Sequence, residues 1–184
     1  MNLVEAVKQL ETLANQPIRS YSTVDFGRGK KEGTYSVLVN SIDAYDIITS
    51  LRSKLEKGLI VFIGTTNFLA NNAPEDEVVE VVLAEGESQF DILRIAETDA
   101  CNYDMMTEEL IKKLQEYDRA FGIDITQAET DTVRFFLKNE PEDWTWFCND
   151  LYDFCPDIVD QGCGSLEVLE EEIKKRKAVS LWWD

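Results

Sequence analysis

The amino-acid sequence predicts an α+β fold in which a mixed or largely antiparallel sheet carries packed helices. Helical and strand patterns alternate along the chain, and turn residues separate neighbouring strand patterns. Of the 184 residues, 44% are hydrophobic, so the chain is long and apolar enough to bury a core. We expect two parts, residues 1–74 and residues 75–184, to form one compact unit.

The N-terminal part shows helix, hairpin, helix and strand patterns in that order. Glycines 27, 29 and 33 lie in a basic loop between the hairpin strands. A phosphate-binding loop joins a strand to a helix, so we expect this loop to be a solvated hairpin tip. The predicted elements are a helix over 3–14, strands over 21–26 and 34–39, a helix that begins at Ser41 or Asp43 and ends before Gly58, and a strand over 59–63.

The C-terminal part begins with strand patterns and then alternates helices with strands. Thr107 and Ser165 are expected N-caps, and Gly122 is expected to end the helix that follows Thr107. The predicted elements are strands over 77–84 and 89–96, a helix over 107–121, strands over 123–127 and 132–137, a helix with Pro141 in its first turn, a helix after Ser165, and a strand over 178–183.

Acidic residues are concentrated in the C-terminal part. The chain carries a net charge of −18, yet residues 1–74 contain 8 Lys/Arg and 7 Asp/Glu. No cation lies between Lys138 and Lys174, whereas 11 carboxylates do. Such an excess repels nucleic acid and favours a basic protein partner. The carboxylates that we expect to form the interface are Glu142, Asp143, Asp150, Asp153, Asp157 and Asp160.

Several classes of protein are disfavoured by what the sequence contains. It has no histidine, which excludes Ser-His-Asp and Cys-His nucleophiles. The longest apolar run, residues 59–63, is far shorter than a membrane span, and the first residues do not resemble a signal peptide. We therefore expect a cytoplasmic protein with no membrane contact. The four cysteines, Cys101, Cys148, Cys155 and Cys163, lack zinc-site spacing and are expected to be reduced.

Residues 154–162, Phe-Cys-Pro-Asp-Ile-Val-Asp-Gln-Gly, form the densest cluster of chemically distinctive residues. One interpretation makes Cys155 a reactive thiol with Asp157 and Asp160 as partners. The acidic surroundings oppose thiolate formation, so we favour a structural role for Cys155. Asp153, Asp157 and Asp160 have oxygen ligands suited to Ca²⁺ or Mg²⁺, but their spacing matches no EF-hand loop. We expect neither a metal nor a cofactor.

Four segments together resemble a known bacterial family, the domain-of-unknown-function family 4253. They are Phe90–Arg94, Asn102-Tyr103 with Thr107, residues 154–162, and the closing Leu181-Trp182-Trp183-Asp184. The resemblance is best over residues 88–184 and implies a bacterial, cytosolic origin, but it brings no catalytic residue or cofactor. It marks the following residues as a candidate site: Asn102, Tyr103, Cys155, Asp157, Asp160, Gln161, Trp182, Trp183 and Asp184.

The leading functional hypothesis is a small binding protein that neutralises a basic partner, as an immunity protein blocks a bacterial toxin. Charge asymmetry and the absence of a recognisable catalytic constellation support it. The first alternative is an enzyme or metal-dependent protein centred on Cys155, Asp157 and Asp160. The second is a module that binds a ligand or peptide. The sequence leaves the oligomeric state open.

Overall fold

The computed structural model describes residues 1–23, 30–64 and 78–184. Residues 27–29 of the basic glycine-rich loop and the predicted boundary at Pro74 lie outside these ranges. The helices are α1 (Leu3–Ala14), α2 (Ser41–Arg52), α3 (Asp91–Ala96), α4 (Thr107–Phe121), α5 (Trp144–Phe154) and α6 (Leu166–Arg176), with a 3₁₀ turn at Cys101–Tyr103 and a π-helix at Ile158–Cys163. The strands are β1 (Arg19–Ser22), β2 (Lys30–Asn40), β3 (Leu59–Ile63), β4 (Val78–Glu85), β5 (Ile123–Ala128), β6 (Thr132–Leu137) and β7 (Ala178–Trp182).

These strands belong to a seven-stranded mixed sheet, which confirms the predicted α+β fold. The β1–β2, β2–β4, β3–β4 and β6–β7 pairs are antiparallel, whereas β3 and β5 are parallel. The described chain divides into two units, which are described separately below. Residues 1–97 with 127–130 form the first unit, and residues 98–126 with 131–184 form the second.

In the first unit, alternate apolar side chains of β2, β3 and β4 point to the same face of the sheet. The helices α1 and α2 cover this face. Buried residues of these five elements form one hydrophobic cluster: Ala6, Leu10, Val37, Val39, Ala44, Ile47, Ile48, Leu51, Val61, Val81 and Leu83. The period of two in the strands and of 3.6 in the helices explains this pattern. Asn40 caps α2 by accepting the Ile42 N–H at 3.0 Å, so neither Ser41 nor Asp43 is the N-cap.

The predicted strand over 89–96 is wrong, because these residues include the helix α3. The Asp91 carboxylate accepts the backbone N–H groups of Glu87 and Ser88, both at 2.9 Å, and thereby stabilises a turn before the helix. Ile92, Leu93 and Ala96 are buried. The short segment satisfies both strand and helix patterns, and these hydrogen bonds favour the helix.

The second unit is built around Tyr117 on α4, a helix whose predicted bounds are confirmed but whose N-cap is Met106 and not Thr107. The Tyr117 ring contacts a cluster of aromatic side chains with centroid distances of 5.5–6.4 Å: Phe121, Phe135, Phe147 and Phe154. Ser165 caps α6 as predicted by accepting the Val168 N–H. Within the described residues, no helix combines the length and apolarity needed to cross a membrane.

The start of α5 differs from the prediction. Asp143 is the N-cap, and its carboxylate accepts the Trp146 N–H at 2.9 Å. Pro141 therefore lies before the cap and not in the first helical turn. A carboxylate near the N-terminus of a helix is favoured by the helix dipole as well as by this hydrogen bond.

Candidate functional site

The two most distinctive segments of the second unit contact each other. The Cys155 thiol donates a hydrogen bond to the Trp182 C=O at 2.9 Å, and the Trp183 indole N–H donates to the Phe154 C=O at 3.0 Å. The backbone N–H of Asp184 donates a hydrogen bond to the Asp157 carboxylate at 2.9 Å. Residues 154–157 therefore hold residues 182–184 through three hydrogen bonds. We call this arrangement the C-terminal clasp.

The Asp157 carboxylate is the polar centre of the C-terminal clasp. Asp157 is only 5% exposed to solvent. Besides the Asp184 N–H, it accepts the Gln161 side-chain amide at 2.9 Å and the Tyr103 hydroxyl. Burial alone raises the pKa of Asp157, but the hydrogen bonds from Asp184, Tyr103 and Gln161 outweigh it and hold the pKa below its usual value. The carboxylate is therefore charged and fully engaged at neutral pH.

The Tyr103 hydroxyl is fixed as a donor by the same contact. Its hydrogen bond to Asp157 raises the pKa of Tyr103 to about 12, because ionisation would place two negative charges side by side. Tyr103 ends the 3₁₀ turn of residues 101–103, which brings its side chain to the clasp. Tyr103 is thus a neutral hydrogen-bond donor at physiological pH and not a general base.

A π-helix explains how Asp157 and Gln161 come together. Pro156 ends α5, and the chain then winds through residues 158–163, where the Gly164 N–H bonds to the Val159 C=O at 2.9 Å. Wide turns of this kind are rare and often occur at functional sites. Gly162 allows the turn to pack on the C-terminal strand, since a Cβ there would lie 2.8 Å from the Trp182 ring.

Cys155 is fully buried inside the C-terminal clasp. Burial raises the pKa of its thiol to about 12 and outweighs the hydrogen bonds that favour the thiolate. A nucleophilic cysteine needs a lowered pKa and access to substrate, and this thiol has neither. The structural role that we favour for Cys155 agrees with this geometry. Cys148 is also buried, and burial raises its pKa to about 11.

The six predicted interface carboxylates do not form one uniform face. Glu142, Asp143, Asp153 and Asp160 are exposed. Asp157 is buried in the clasp, and Asp150 is half-buried and paired. Asp143 also caps α5, and Asp160 accepts the Tyr152 hydroxyl at 3.1 Å. The other four of the predicted interface carboxylates have solvent-exposed side chains.

Asp150 is neutralised within the second unit. Its two oxygens accept hydrogen bonds from the Lys113 ammonium and the Tyr117 hydroxyl, both at 2.7 Å. Burial and the Asp150 hydrogen bond raise the pKa of Tyr117 far above its usual value. The ion pair joins α4 to α5, so Asp150 contributes to the packing of these helices more than to an external field.

The structure brings together most of the residues that the family motifs mark. Tyr103, Asp157, Gln161 and Asp184 share hydrogen bonds, and Cys155, Trp182 and Trp183 complete the clasp. Asn102 is exposed and makes no described contact with the clasp, and Asp160 pairs with Tyr152 instead. Within the described residues, no three Asp, Glu or Cys side chains are grouped as a metal site.

Sequence reasoning missed Trp146, which is 53% exposed. Its ring makes no aromatic or cation–π contact with another described residue, whereas Trp144 contacts Phe147 and the Lys174 ammonium. The signal was present, because position 146 falls outside the i, i+3, i+4 pattern that Phe147 and Leu151 follow. Trp146 therefore lies on the outer side of α5 with the exposed carboxylates of Asp143 and Asp153.

Comparison with known proteins agrees with these motifs. The family model described as "Domain of unknown function (DUF4253)" matches residues 80–184, which include every residue of the clasp. No curated protein and no solved structure matches the chain. The matched region covers more than half of the sequence, and the predicted resemblance is confirmed. The chain belongs to the DUF4253 family.

Proposed function

We propose that this chain is a cytoplasmic binding protein that neutralises a basic protein partner, as an immunity protein neutralises a toxin. The observation that carries the proposal is the outer side of α5, where exposed Trp146 lies among carboxylates. We call Glu142, Asp143, Trp146 and Asp153 the acidic stripe. Residues 146 and 153 share a helix face because they are two turns apart, and residues 142 and 143 lie at its start.

Two of the three carboxylates of the acidic stripe are not paired within the described part of the chain. Glu142 and Asp153 are exposed and form no hydrogen bond or ion pair with another described residue. Asp160, which follows in the π-helix, adds a further exposed carboxylate. Charges of one sign on a surface repel one another in the free protein and attract a cationic partner. This arrangement supports fast, salt-dependent association more than it supports stability.

Trp146 supplies the apolar part of such an interface. Trp is enriched among the residues that dominate binding energy at protein interfaces. Polar or charged residues around a central aromatic residue match the usual division of an interface into core and rim. A basic partner with an apolar pocket between cationic side chains fits the acidic stripe best.

The test begins with capture of bound proteins from an extract of the native cells, followed by measurement with the purified partner. Glu142→Lys with Asp153→Lys should slow association about tenfold at low salt and reduce its salt dependence. Trp146→Ala should weaken binding by about 2 kcal/mol, which is about 30-fold in Kd. A matched control, Glu11→Lys with Asp46→Lys, changes the net charge equally at exposed positions of α1 and α2.

The proposal requires the two sets of variants to differ. If the control and the stripe variant bind the partner with equal rates, net charge alone acts and the acidic stripe is not the interface. If the captured partner is acidic or binds independently of salt, a basic partner is ruled out. For a partner that is a toxin, growth of cells that express both proteins should fail with the stripe variant and recover with the control.

A further inference from the structure

The outer edge of β7 has backbone groups that point away from its neighbour. The Leu137 N–H donates to the Lys177 C=O at 2.8 Å, and the Trp183 N–H bonds back to the residue before β6 at 3.1 Å. In an antiparallel pair, alternate residues direct both backbone groups toward the partner strand. Odd-numbered residues of β7 therefore face β6, and the N–H and C=O groups of Ala178 and Ser180 face outward.

These outward groups are unused within the described chain. β7 ends the strand order, and no described residue hydrogen-bonds to the backbone of Ala178 or Ser180. The next outward carbonyl, that of Trp182, accepts the Cys155 thiol and is closed by the clasp. The open edge is thus limited to residues 178–180, where Ser180 is exposed and Ala178 is 8% exposed. An unpaired strand edge is a template for another strand unless it is protected.

A groove of about 280 Å³ lies beside this open edge. Its sides are formed by apolar side chains of α6, Leu169 and Ile173, and by residues 178–180 of β7. The Trp182 ring and Gly162, which lies close beside it, line one part of the groove. The groove is small, which suits a short extended segment and excludes a helix.

Two guanidinium groups also line the groove. Arg134 on β6 lies directly across from Ser180, and Arg176 is in the last turn of α6. Glu172 also lines the groove and lies 3.9 Å from Arg176, whereas no described carboxylate pairs with Arg134. In a chain with a net charge of −18, two arginines beside an unpaired strand edge indicate an acidic occupant.

We propose that the open edge of β7 binds a short, extended, acidic segment of a partner protein as an added strand. Main-chain hydrogen bonds to Ala178 and Ser180 give the added strand its position, and alternate side chains then face the groove. Carboxylates on that side meet Arg134 and Arg176, since a guanidinium group binds a carboxylate through paired hydrogen bonds. This site is separate from the acidic stripe and takes a ligand of opposite charge.

The experiment uses the full chain and three synthetic hexapeptides with acetylated and amidated ends. The first alternates valine with glutamate, the second alternates valine with glutamine, and the third is the glutamate peptide with N-methyl groups on alternate amides. Binding is followed by amide chemical shifts and hydrogen exchange. We expect the glutamate peptide to protect the Ser180 N–H, and both other peptides to bind at least about tenfold more weakly.

Variants of the protein test the same contacts from the other side. Arg134→Gln should weaken glutamate-peptide binding about fivefold, whereas Lys175→Gln, which removes an exposed charge outside the groove lining, should change it less than about twofold. Ser180→Pro removes an outward N–H that β6 does not use, and proline is tolerated on edge strands. It should abolish the amide chemical-shift changes that the glutamate peptide causes at the neighbouring residues, while the circular dichroism spectrum stays unchanged.

Three results would overturn the proposal. Equal binding of the glutamate and glutamine peptides would show that the arginines do not select the ligand. Full binding of the N-methylated peptide would show that no strand is added, and this comparison holds even if Ser180→Pro fails to fold. Concentration-dependent dimerisation that Arg134→Gln abolishes would assign the edge to a second copy of the chain.

Discussion

Replacement of Asp157 by asparagine tests how the C-terminal clasp is held. One carboxylate oxygen of Asp157 accepts the Gln161 amide and the other accepts the Asp184 N–H, each at 2.9 Å. Asn has nearly the same shape but carries an NH₂ group in place of one oxygen. In either orientation of the amide, that NH₂ group faces a donor and one hydrogen bond is lost.

The magnitude follows from the type of hydrogen bond. A bond to a charged acceptor contributes about 1.5–3 kcal/mol, and a neutral acceptor contributes about half as much. Asp184 is exposed and Tyr103 is half-buried, so water partly replaces what they lose. We therefore expect Asp157→Asn to lower the free energy of unfolding by about 2 kcal/mol. For a chain of this size, that corresponds to a decrease in Tm of about 4–8 °C.

Urea denaturation at pH 7, followed by tryptophan fluorescence, measures this change. The fluorescence reports on the clasp because Trp183 lies within it. Asp153→Asn is the matched control, since Asp153 is exposed on α5 and should change stability by less than about 0.5 kcal/mol. If Asp157→Asn is as stable as this control, the hydrogen bonds to Asp157 do not stabilise the clasp and the reasoning is refuted.

The pH dependence of Asp157→Asn gives an independent check. The folded-state pKa of Asp157 lies below the ordinary value of 3.8. A carboxyl group with a lowered pKa stabilises the fold fully above its unfolded-state pKa, and this contribution disappears as the pH falls through the folded-state pKa. The stability difference between the parent chain and Asp157→Asn should therefore be constant near neutrality and shrink below about pH 4. A difference that grows on acidification would contradict the assigned sign.

Three further predictions concern other parts of the chain. Gly162→Ala should cost about 1–3 kcal/mol, measured by urea denaturation, because its Cβ would meet the Trp182 ring at 2.8 Å. Iodoacetamide at pH 8 should modify exposed Cys101 well before buried Cys155, whose pKa burial raises to about 12, as followed by peptide mass spectrometry. Asp91→Ala should lower Tm by about 2–4 °C through loss of the turn before α3, whereas equal Tm values would show that the turn forms without it.

The sequence predicts elements whose periodicity and end signals agree. The bounds of α4 were predictable because apolar residues recur along 15 positions and Gly122 follows the last one. In contrast, α3 has six residues, too few for periodicity to distinguish a helix from a strand. The choice depends on Asp91 accepting two backbone N–H groups, a local competition that composition does not reveal.

The clasp was only partly predictable for a different reason. Its residues stand out in the sequence because Cys155, Asp157 and the two closing tryptophans are distinctive, and the family motifs contain them. The residues that two of the clasp's hydrogen bonds join are 27 positions apart in the chain. Their contact depends on β7 lying beside the end of α5. The π-helix over 158–163 leaves no periodic signal, since its i→i+5 hydrogen bonds depend on tertiary packing.

Charge counting along the sequence does not separate structural carboxylates from exposed ones, because it treats all carboxylates alike. The Asp157 carboxylate accepts hydrogen bonds from three donors, and the Asp150 carboxylate accepts hydrogen bonds from Lys113 and Tyr117. Both carboxylates therefore stabilise the second unit. Exposed Glu142 and Asp153 make no such contacts among the described residues. The distinction depends on burial and on donors far away in sequence, and neither is visible in a local charge run.

Once the structural carboxylates are set aside, the two proposed binding surfaces make opposite electrostatic demands. The acidic stripe should bind a cationic surface, whereas the groove with Arg134 and Arg176 should bind an anionic segment. Both interactions weaken with salt, so salt dependence alone does not separate them. Charge substitutions separate the two interactions. Asp153→Lys should impair only binding to the acidic stripe, and Arg134→Gln should impair only binding to the groove. If either variant impaired both, one ligand would span both surfaces, and the two sites would have to be treated as a single interface.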